Sequence, residues 1–450
     1  MRTTGQQPRL LAINPQFHEE KYLSFPLGLG TIAAIVRRKG LDVRVLDLDA
    51  VRRDDVRAAL GEIDFEPDIV LLSGMITQYK RIVELAAAAR ELWPGAVSIL
   101  GGSLATTAPD NILRTIPSDV FVMGEGDEII GALLDELSAG GSLERVGGIK
   151  YIEEGRLAGT GPAGAPDITL TPRPAYELFP MEEYIRFLKK VNYSFEIYTS
   201  KGCPFSCTYC YKISGRKVRR RRIDDIISEI DFIKTTYGMD RFCFVDDCFA
   251  TDRKWLEEFC REFRKLGVRF RFQAAIKILD EEMLELLKGA GLSGVSMGIE
   301  SASPAILAEY NKKHDVEKAE RLISWMREND IQYNATFIIG SFGESDETVR
   351  MTRDFLLKMG FRDNFQLFFL TPYPGTALYE RAVREGYIAD EEHYLKNLRL
   401  LDEISVNLTG YPDEKLYAWR DGIIREVAGA PGGVDCRRKA VSWKREPSGD

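Results

Sequence analysis

Histidine is scarce. The 450 residues hold only His18, His314 and His393. Spread this widely, they argue against a His-built metal site or a His-centred catalytic triad, which need imidazoles beside their partners. Long apolar runs are also missing, and none approaches the ~18 residues that mark a membrane span. The opening MRTTGQQPRL has no signal-peptide apolar core, so the expected setting is a reducing cytoplasm, where seven cysteines do not form a disulfide framework. An excess of basic charge is absent too. Lys plus Arg total 61 against 69 Asp plus Glu, a net charge of −8, which argues against nucleic acid or an anionic membrane as a general partner. No G-x-G-x-x-G follows the first apolar run, so a dinucleotide site is not indicated. Hydrophobic content of 44% is ordinary for a globular chain, and the length allows two or three domains.

What is present is concentrated in one stretch. Residues 201–211 read KGCPFSCTYCY and set Cys203, Cys207 and Cys210 in a C-x₃-C-x₂-C array. Zinc normally takes four ligands, often two C-x₂-C pairs or Cys with His, and no His is near. Iron–sulfur clusters are held by Cys thiolates, usually four, so three leave one iron open. Cys243, Cys248, Cys260 and Cys436 read as free, partly buried thiols. Cys243 and Cys248 flank a strand end, and a second cluster there is the alternative.

From residue 8 to about 140, apolar strands alternate with amphipathic helices. The strands are expected at 8–15, 41–49, 67–75, 96–102 and 118–128, with helices at 26–40, 79–95 and 129–141 among them. The alternation predicts a parallel, doubly wound, Rossmann-like sheet with ligands beyond its carboxyl strand ends. Residues 141–190 read as a linker with a short hairpin, a Pro-rich connector and an amphipathic helix at 181–190. From 191 to 400, six strands feed helices at 195–203, 241–247, 269–276, 291–301, 333–344 and 365–379. That pattern predicts a partial (β/α)₆ barrel with function at the strand ends. Residues 401–450 read as one helix and a tail of disorder-like composition. The basic run at 216–222, RKVRRRR, reads as a solvated helix start near an anionic cofactor or substrate, or else as a nucleic-acid patch.

The cysteine spacing, with Tyr209 before the last cysteine, resembles the radical S-adenosylmethionine (SAM) superfamily. The resemblance implies a [4Fe-4S] cluster on the three cysteines and SAM chelated at the open iron. An external electron donor, a flavodoxin, ferredoxin or reductase, would supply the electron that releases a 5′-deoxyadenosyl radical. The cofactor-binding residues it implies are Tyr209, Asp246, Asp247, Gln273, Glu300, Ser301 and Gly340. Asp246 and Asp247 would meet the SAM amino group, Gln273, Glu300 and Ser301 its ribose or carboxylate, and Gly340 the adenine. Either aspartate could instead cap the following helix.

Three features of the first domain are similar to the cobalamin-binding-type domain fused ahead of one radical SAM branch. They are Pro26-Leu27-Gly28-Leu29, Gly101-Gly102-Ser103 and Gly124-Glu125-Gly126-Asp127. The D-x-H-x-x-G motif that brings a His to cobalt elsewhere is absent, and His18 is the one His in reach of that region. Cobalamin is therefore a cofactor that the resemblance allows and no single residue demands. The barrel mouth is expected to face these loops with a small polar substrate between. Two reactions follow from the resemblance. One is dehydration of a sugar-type diol, as in the radical SAM diol dehydratases of aminoglycoside antibiotic biosynthesis, with Lys277, Glu300 or Tyr373 as the acid. The other is cobalamin-dependent methylation of an unactivated carbon. Methylating members commonly carry a further domain after the barrel, and this tilts the expectation to dehydration. A sensor role is the remaining non-enzyme reading, and six strand ends around a cluster argue against it.

Overall fold

The computed structural model describes residues 7–16, 23–312, 315–398 and 401–429, so His18, His314 and Cys436 lie outside the described residues. The chain divides into two compact units. One comprises residues 1–187 with 212–215 and 390–398, and the other comprises the rest.

The first unit is built on a sheet ordered β2-β1-β3-β4-β5-β6-β7. Its strands are β1 (Arg9–Asn14), β2 (Asp42–Asp47), β3 (Ile69–Ser73), β4 (Val97–Gly101), β5 (Val120–Val122), β6 (Ile149–Glu153) and β7 (Arg156–Gly159). The first five are parallel and the last two pair antiparallel. The middle of β1 and nearly all of β3 are buried, as a sheet covered on both faces requires. The hairpin expected in the linker thus extends this sheet. The linker's aromatics join the unit as well, because Phe25 packs on Tyr176 and Phe179 at 4.8 Å and on Tyr184 at 5.5 Å. Tyr184 also donates to buried Asp47 at 2.5 Å, beside Asn14 Nδ2 at 2.8 Å. Residues 390–398, expected with the barrel, belong to this unit, where Asn111 meets Glu391 at 3.3 Å.

The second unit carries six parallel strands in sequence order. They are β8 (Phe195–Ile197), β11 (Arg241–Phe244), β12 (Arg269–Ala275), β13 (Leu292–Glu300), β14 (Gln332–Ile339) and β15 (Phe365–Phe369). This is the open (β/α)₆ arc that the strand count predicts. Between β8 and β11 a small antiparallel pair, β9 (Ser200–Lys201) and β10 (Arg219–Arg220), fixes the basic run against the cysteine loop. The strand expected at 195–203 is therefore broken. Its Thr199 turns its N–H to Asp246 instead of to a neighbouring strand. Phe244, Phe249, Phe259, Phe263 and Phe270 fill the space under the first helices with contacts of about 5–6 Å. Helix Asp413–Ala428 is tied to helix Asp346–Lys358 through Asp346, which accepts from Trp419 and Lys415 at 2.7 Å.

Candidate active site

The three cysteines lie on the loop leaving β9, which starts at Gly202 with φ of +95°. Cys203 and Cys207 are half-buried and Cys210 is exposed, whereas Cys243, Cys248 and Cys260 are buried. Three accessible thiols on one loop are the donor set that an iron–sulfur cluster needs. The loop is held from outside by residues that follow β13. Asn311 donates to the Ser206 carbonyl at 2.8 Å, and Thr208 donates to the carbonyls of Tyr310 and Glu309 at 3.0 and 3.1 Å.

The paired acids have different surroundings. Asp246 is buried and accepts from the Thr199 N–H and from the Thr199 and Ser200 hydroxyls. Burial pushes its carboxyl up to about 6 against those hydrogen bonds. Its oxygens are thus taken up inside the protein, which departs from the expected SAM contact. Asp247 is exposed, and one of its oxygens accepts the Gly202 N–H at 2.8 Å. Neither caps the next helix. Asp252 does, accepting from Trp255 N at 3.2 Å.

Glu300 ends β13 with φ of +69° and sits in a buried triad. Lys312 Nζ lies 2.8 Å from its Oε1, and Tyr209 donates to the same oxygen at 3.0 Å. A Cβ at Gly298 would stand 2.3 Å from that oxygen and 2.9 Å from Lys312 Nζ, so glycine makes the room for the pair. Burial would lower the Lys312 ammonium, yet Glu300, Cys207 and Cys210 together hold it above its ordinary value. Burial raises the Tyr209 phenol, and Glu300, Cys207 and Cys210 add to it. The triad therefore adjoins the cysteine loop. Sequence reasoning found Glu300 and Tyr209 but missed Lys312, because YNKKHD reads as an ordinary polar turn.

A cavity of about 170 Å³ opens here, lined by Phe205, Cys207, Arg216, Ala275, Lys277 and Lys312. Lys277 is exposed, with its ammonium 5.8 Å from the centre of the Phe205 ring. Gln273 is exposed two residues before Ala275, on the same face of β12. Tyr373 is half-buried with its ring edge-on to Tyr211 at 6.2 Å, and burial pushes its phenol up to about 12. Ser301 departs from expectation. It is buried and its hydroxyl meets Thr352 at 3.3 Å and the Ser303 N–H at 3.1 Å, which orders the start of the next helix. Gly340 has φ of +93° and donates its N–H to Glu344 at 3.2 Å. Burial pushes that carboxyl up to about 7.

The basic run is not a solvated helix start throughout. Arg221 and Glu229 form an ion pair at 2.5 Å, with side chains 2% and 1% exposed. Arg220 lies over Trp255 at 5.7 Å and Arg216 donates to the Pro204 carbonyl at 3.3 Å. A folded position for most of its guanidinium groups leaves no continuous basic patch for nucleic acid.

In the first unit the glycine turns divide. Gly102, with φ of +86°, lets β4 approach β3, since a Cβ there would lie 2.6 Å from the Gly74 carbonyl. At Gly101 and Gly124 a Cβ would meet nothing within 4 Å, and Met75 stands 43% exposed at the end of β3. Open backbone and an uncovered apolar side chain at carboxyl strand ends fit a large cofactor laid across them. No described helix is long and apolar enough to cross a membrane.

Two family models match this arrangement, the radical SAM superfamily over residues 197–356 and the B12 binding domain over 18–134. The chain thus carries a radical SAM domain behind a B12-binding domain, the arrangement of the radical SAM branch that it resembles. Such a chain takes a [4Fe-4S] cluster and SAM, with cobalamin as the third candidate cofactor. Among its relatives is the cytidylyl-2-hydroxyethylphosphonate methyltransferase of Streptomyces wedmorensis, 28% identical over 86% of this chain and 84% of that one. The anaerobic magnesium-protoporphyrin IX monomethyl ester cyclase of Rubrivivax gelatinosus is also 28% identical, over 86% of this chain and 72% of its own length. Among solved structures, the radical SAM methyltransferase TsrM of Kitasatospora setae, with cobalamin and a [4Fe-4S] cluster bound, superimposes with a TM-score of 0.71. That match has 21% identity and covers 84% of this chain and 75% of that one.

Proposed function

We propose that the chain is a cobalamin-dependent radical SAM methyltransferase acting on an unactivated carbon of a small polar molecule, with an external reductant. The observation that carries this reading is the alignment with a methyltransferase across 86% of the chain, both domains included. The dehydratase expectation gains no support from the relatives. It rested on the absence of a cobalt-binding His and of a domain after the barrel, and neither absence bears on which reaction occurs. Of the acids named for it, Glu300 is ion-paired with Lys312 and burial holds the Tyr373 proton tightly, which leaves Lys277 on the cavity wall.

In this reading the cluster would supply one electron, one SAM the hydrogen-abstracting radical, and cobalamin would carry a methyl group taken from a second SAM. Cys203, Cys207 and Cys210 would hold the cluster. Asp247 would accept from the SAM ammonium through its second oxygen, a charge-assisted bond. Lys277 and Arg216 bring positive charge to the cavity wall, which suits the SAM carboxylate. Glu300 and Lys312 neutralise each other and brace Tyr209 next to the thiolates.

Asp247→Ala is expected to weaken SAM binding roughly ten- to a hundredfold, the ~1.5–3 kcal/mol of a hydrogen bond to a charged group, and to cost less stability than Asp246→Ala because its side chain is exposed. Asp246→Ala leaves Thr199 and Ser200 unpaired and is expected to cost about 1–3 kcal/mol of stability. Equilibrium dialysis with SAM and thermal melting separate the two. Equal SAM affinity in Asp247→Ala and the native chain would remove Asp247 from the SAM site.

The reaction itself is tested by anaerobic reconstitution with and without hydroxocobalamin. The expected result is uptake of about one cobalamin per chain. On reduction with SAM, S-adenosylhomocysteine is released only from the cobalamin-loaded protein. Formation of 5′-deoxyadenosine with neither cobalamin uptake nor S-adenosylhomocysteine sinks the methyltransferase reading and returns the chain to a non-methylating radical reaction.

A further inference from the structure

Closed barrels of this kind fill their interior with branched apolar side chains. The inner face of this arc is different. Successive side chains of a strand point to opposite faces. On β13 and β14, Val295, Met297, Ile299, Ala335, Phe337 and Ile339 are at most 1% exposed, and Phe337 meets Phe355 of helix Asp346–Lys358 at 6.0 Å. That is the face turned to the helices. The opposite face carries Ser296, Asn334 and Thr336, with Gln273 on β12 and Gln366 on β15. Strand pairing sets them side by side. Gln273 stands opposite Ser296 and Ser296 opposite Asn334, and in the next row Gly298 stands opposite Thr336 and Thr336 opposite Gln366. Four strands spaced by about 4.8 Å give these rows a width of roughly 14 Å. Gly294 and Gly298 flank Ser296 on the same face of β13, so little side-chain bulk rises from its middle. The row of Gln273 lies two residues before Ala275, which lines the cavity at the cysteine loop, and is thus roughly 6–7 Å deeper in the arc.

None of these five polar side chains has a hydrogen-bond partner among the described residues. Asn334 is only 4% exposed, so its amide bears the cost of burial without a bond to offset it. A ligand that supplied the bond would recover that cost. Hydroxyls and carboxamides both donate and accept, and they match groups that do the same. No carboxylate or cation belongs to the two rows, so a charged group laid there would lack a counter-ion.

We propose that these two rows are the bed of the substrate, and that the part of the substrate seated there is uncharged and carries hydroxyl or carboxamide groups. Gln273 then serves the substrate instead of the SAM ribose or carboxylate that the resemblance implies. The inference rests on the radical reaction proposed for these strand ends.

The test uses full-length, cluster-loaded protein with SAM bound, and small probes read by saturation-transfer NMR. myo-Inositol offers hydroxyls alone and N-acetylglycinamide carboxamides alone, whereas glucuronate and protonated glucosamine add a charge of either sign. One of the two neutral probes is expected to bind about tenfold more tightly than either charged one, and which of them binds tells hydroxyl from carboxamide recognition. Gln273→Met and Ser296→Ala are each expected to weaken that probe roughly two- to tenfold, the effect of one neutral hydrogen bond, while equilibrium dialysis shows SAM affinity retained. Gln273→Glu is expected to turn the preference toward protonated glucosamine, which decides the matter if circular dichroism shows either of the other variants misfolded. Binding of neither neutral probe overturns the proposal, as does a charged probe that binds equally well to the native chain. Unchanged probe binding in Gln273→Met and Ser296→Ala overturns it too, and a loss of SAM affinity in them assigns the rows to SAM instead. These outcomes leave the methyltransferase reading standing, because release of S-adenosylhomocysteine from cobalamin-loaded protein is measured without the probes.

Discussion

Alanine in place of Cys207 or Cys210 is expected to abolish the cluster's visible absorbance and 5′-deoxyadenosine formation together, and Cys203→Ala to do the same. Three protein thiolates are the least that hold three irons of a cubane while leaving the fourth for SAM. The other described cysteines, Cys243, Cys248 and Cys260, are all buried. A spare ligand at Cys207 or Cys210 is therefore not to hand. Folding itself should survive, because all three thiols lie on an accessible loop whose anchors are Asn311, Tyr310, Glu309 and Asp247. The measurements are iron content, absorbance and product formation on anaerobically reconstituted protein, with circular dichroism for the fold. Persistence of either the absorbance or 5′-deoxyadenosine in Cys207→Ala or Cys210→Ala removes the central assignment.

The second large effect is expected at Gly298. Elsewhere in a strand, Gly→Ala is neutral or slightly favourable, since it lowers the entropy of the unfolded chain. Here the added carbon falls 2.3 Å from Glu300 Oε1 and 2.9 Å from Lys312 Nζ. The two side chains are 7% and 12% exposed, and the added carbon meets their far ends, which must give way. Gly298→Ala is expected to displace the pair and cost about 1–3 kcal/mol, the range for overpacking a close-fitting site. Lys312→Met is expected to cost more, about 3–5 kcal/mol, because it removes the cation and strands a buried carboxylate. Replacing both partners by Glu300→Gln with Lys312→Met should recover part of that loss, because a buried pair replaced as a whole is often neutral. Denaturant melts of the cluster-free chain measure this. Native stability in both single variants would mean that the pair is not a buried, mutually dependent unit.

How legible the site was depended on what carried each residue. The cysteine spacing is local, and three ligands within eight positions need no fold to be read. The alternation of strands and helices was equally plain, because each strand had to be apolar to be buried on both faces. The pairing of Asp246 and Asp247 was visible, but which one faces outward was not. That choice follows from Thr199 and Ser200, which lie 47 and 46 positions away from Asp246. Lys312 carried no signal at all, being one of two lysines in a polar turn. The dehydratase expectation gains no support from the relatives, and it was drawn from missing residues and not from present ones.

By itself, the amino-acid sequence determined the cysteine array proposed to hold the cluster, the parallel first sheet and the six-strand arc. Each of these depends on periodicity or spacing over a few residues. Only the tertiary structure decided that Asp246 is buried and Asp247 open, and that Glu300 is paired with Lys312. Those outcomes depend on which strand end meets which loop, and such contacts join residues far apart in the chain through burial and hydrogen bonding.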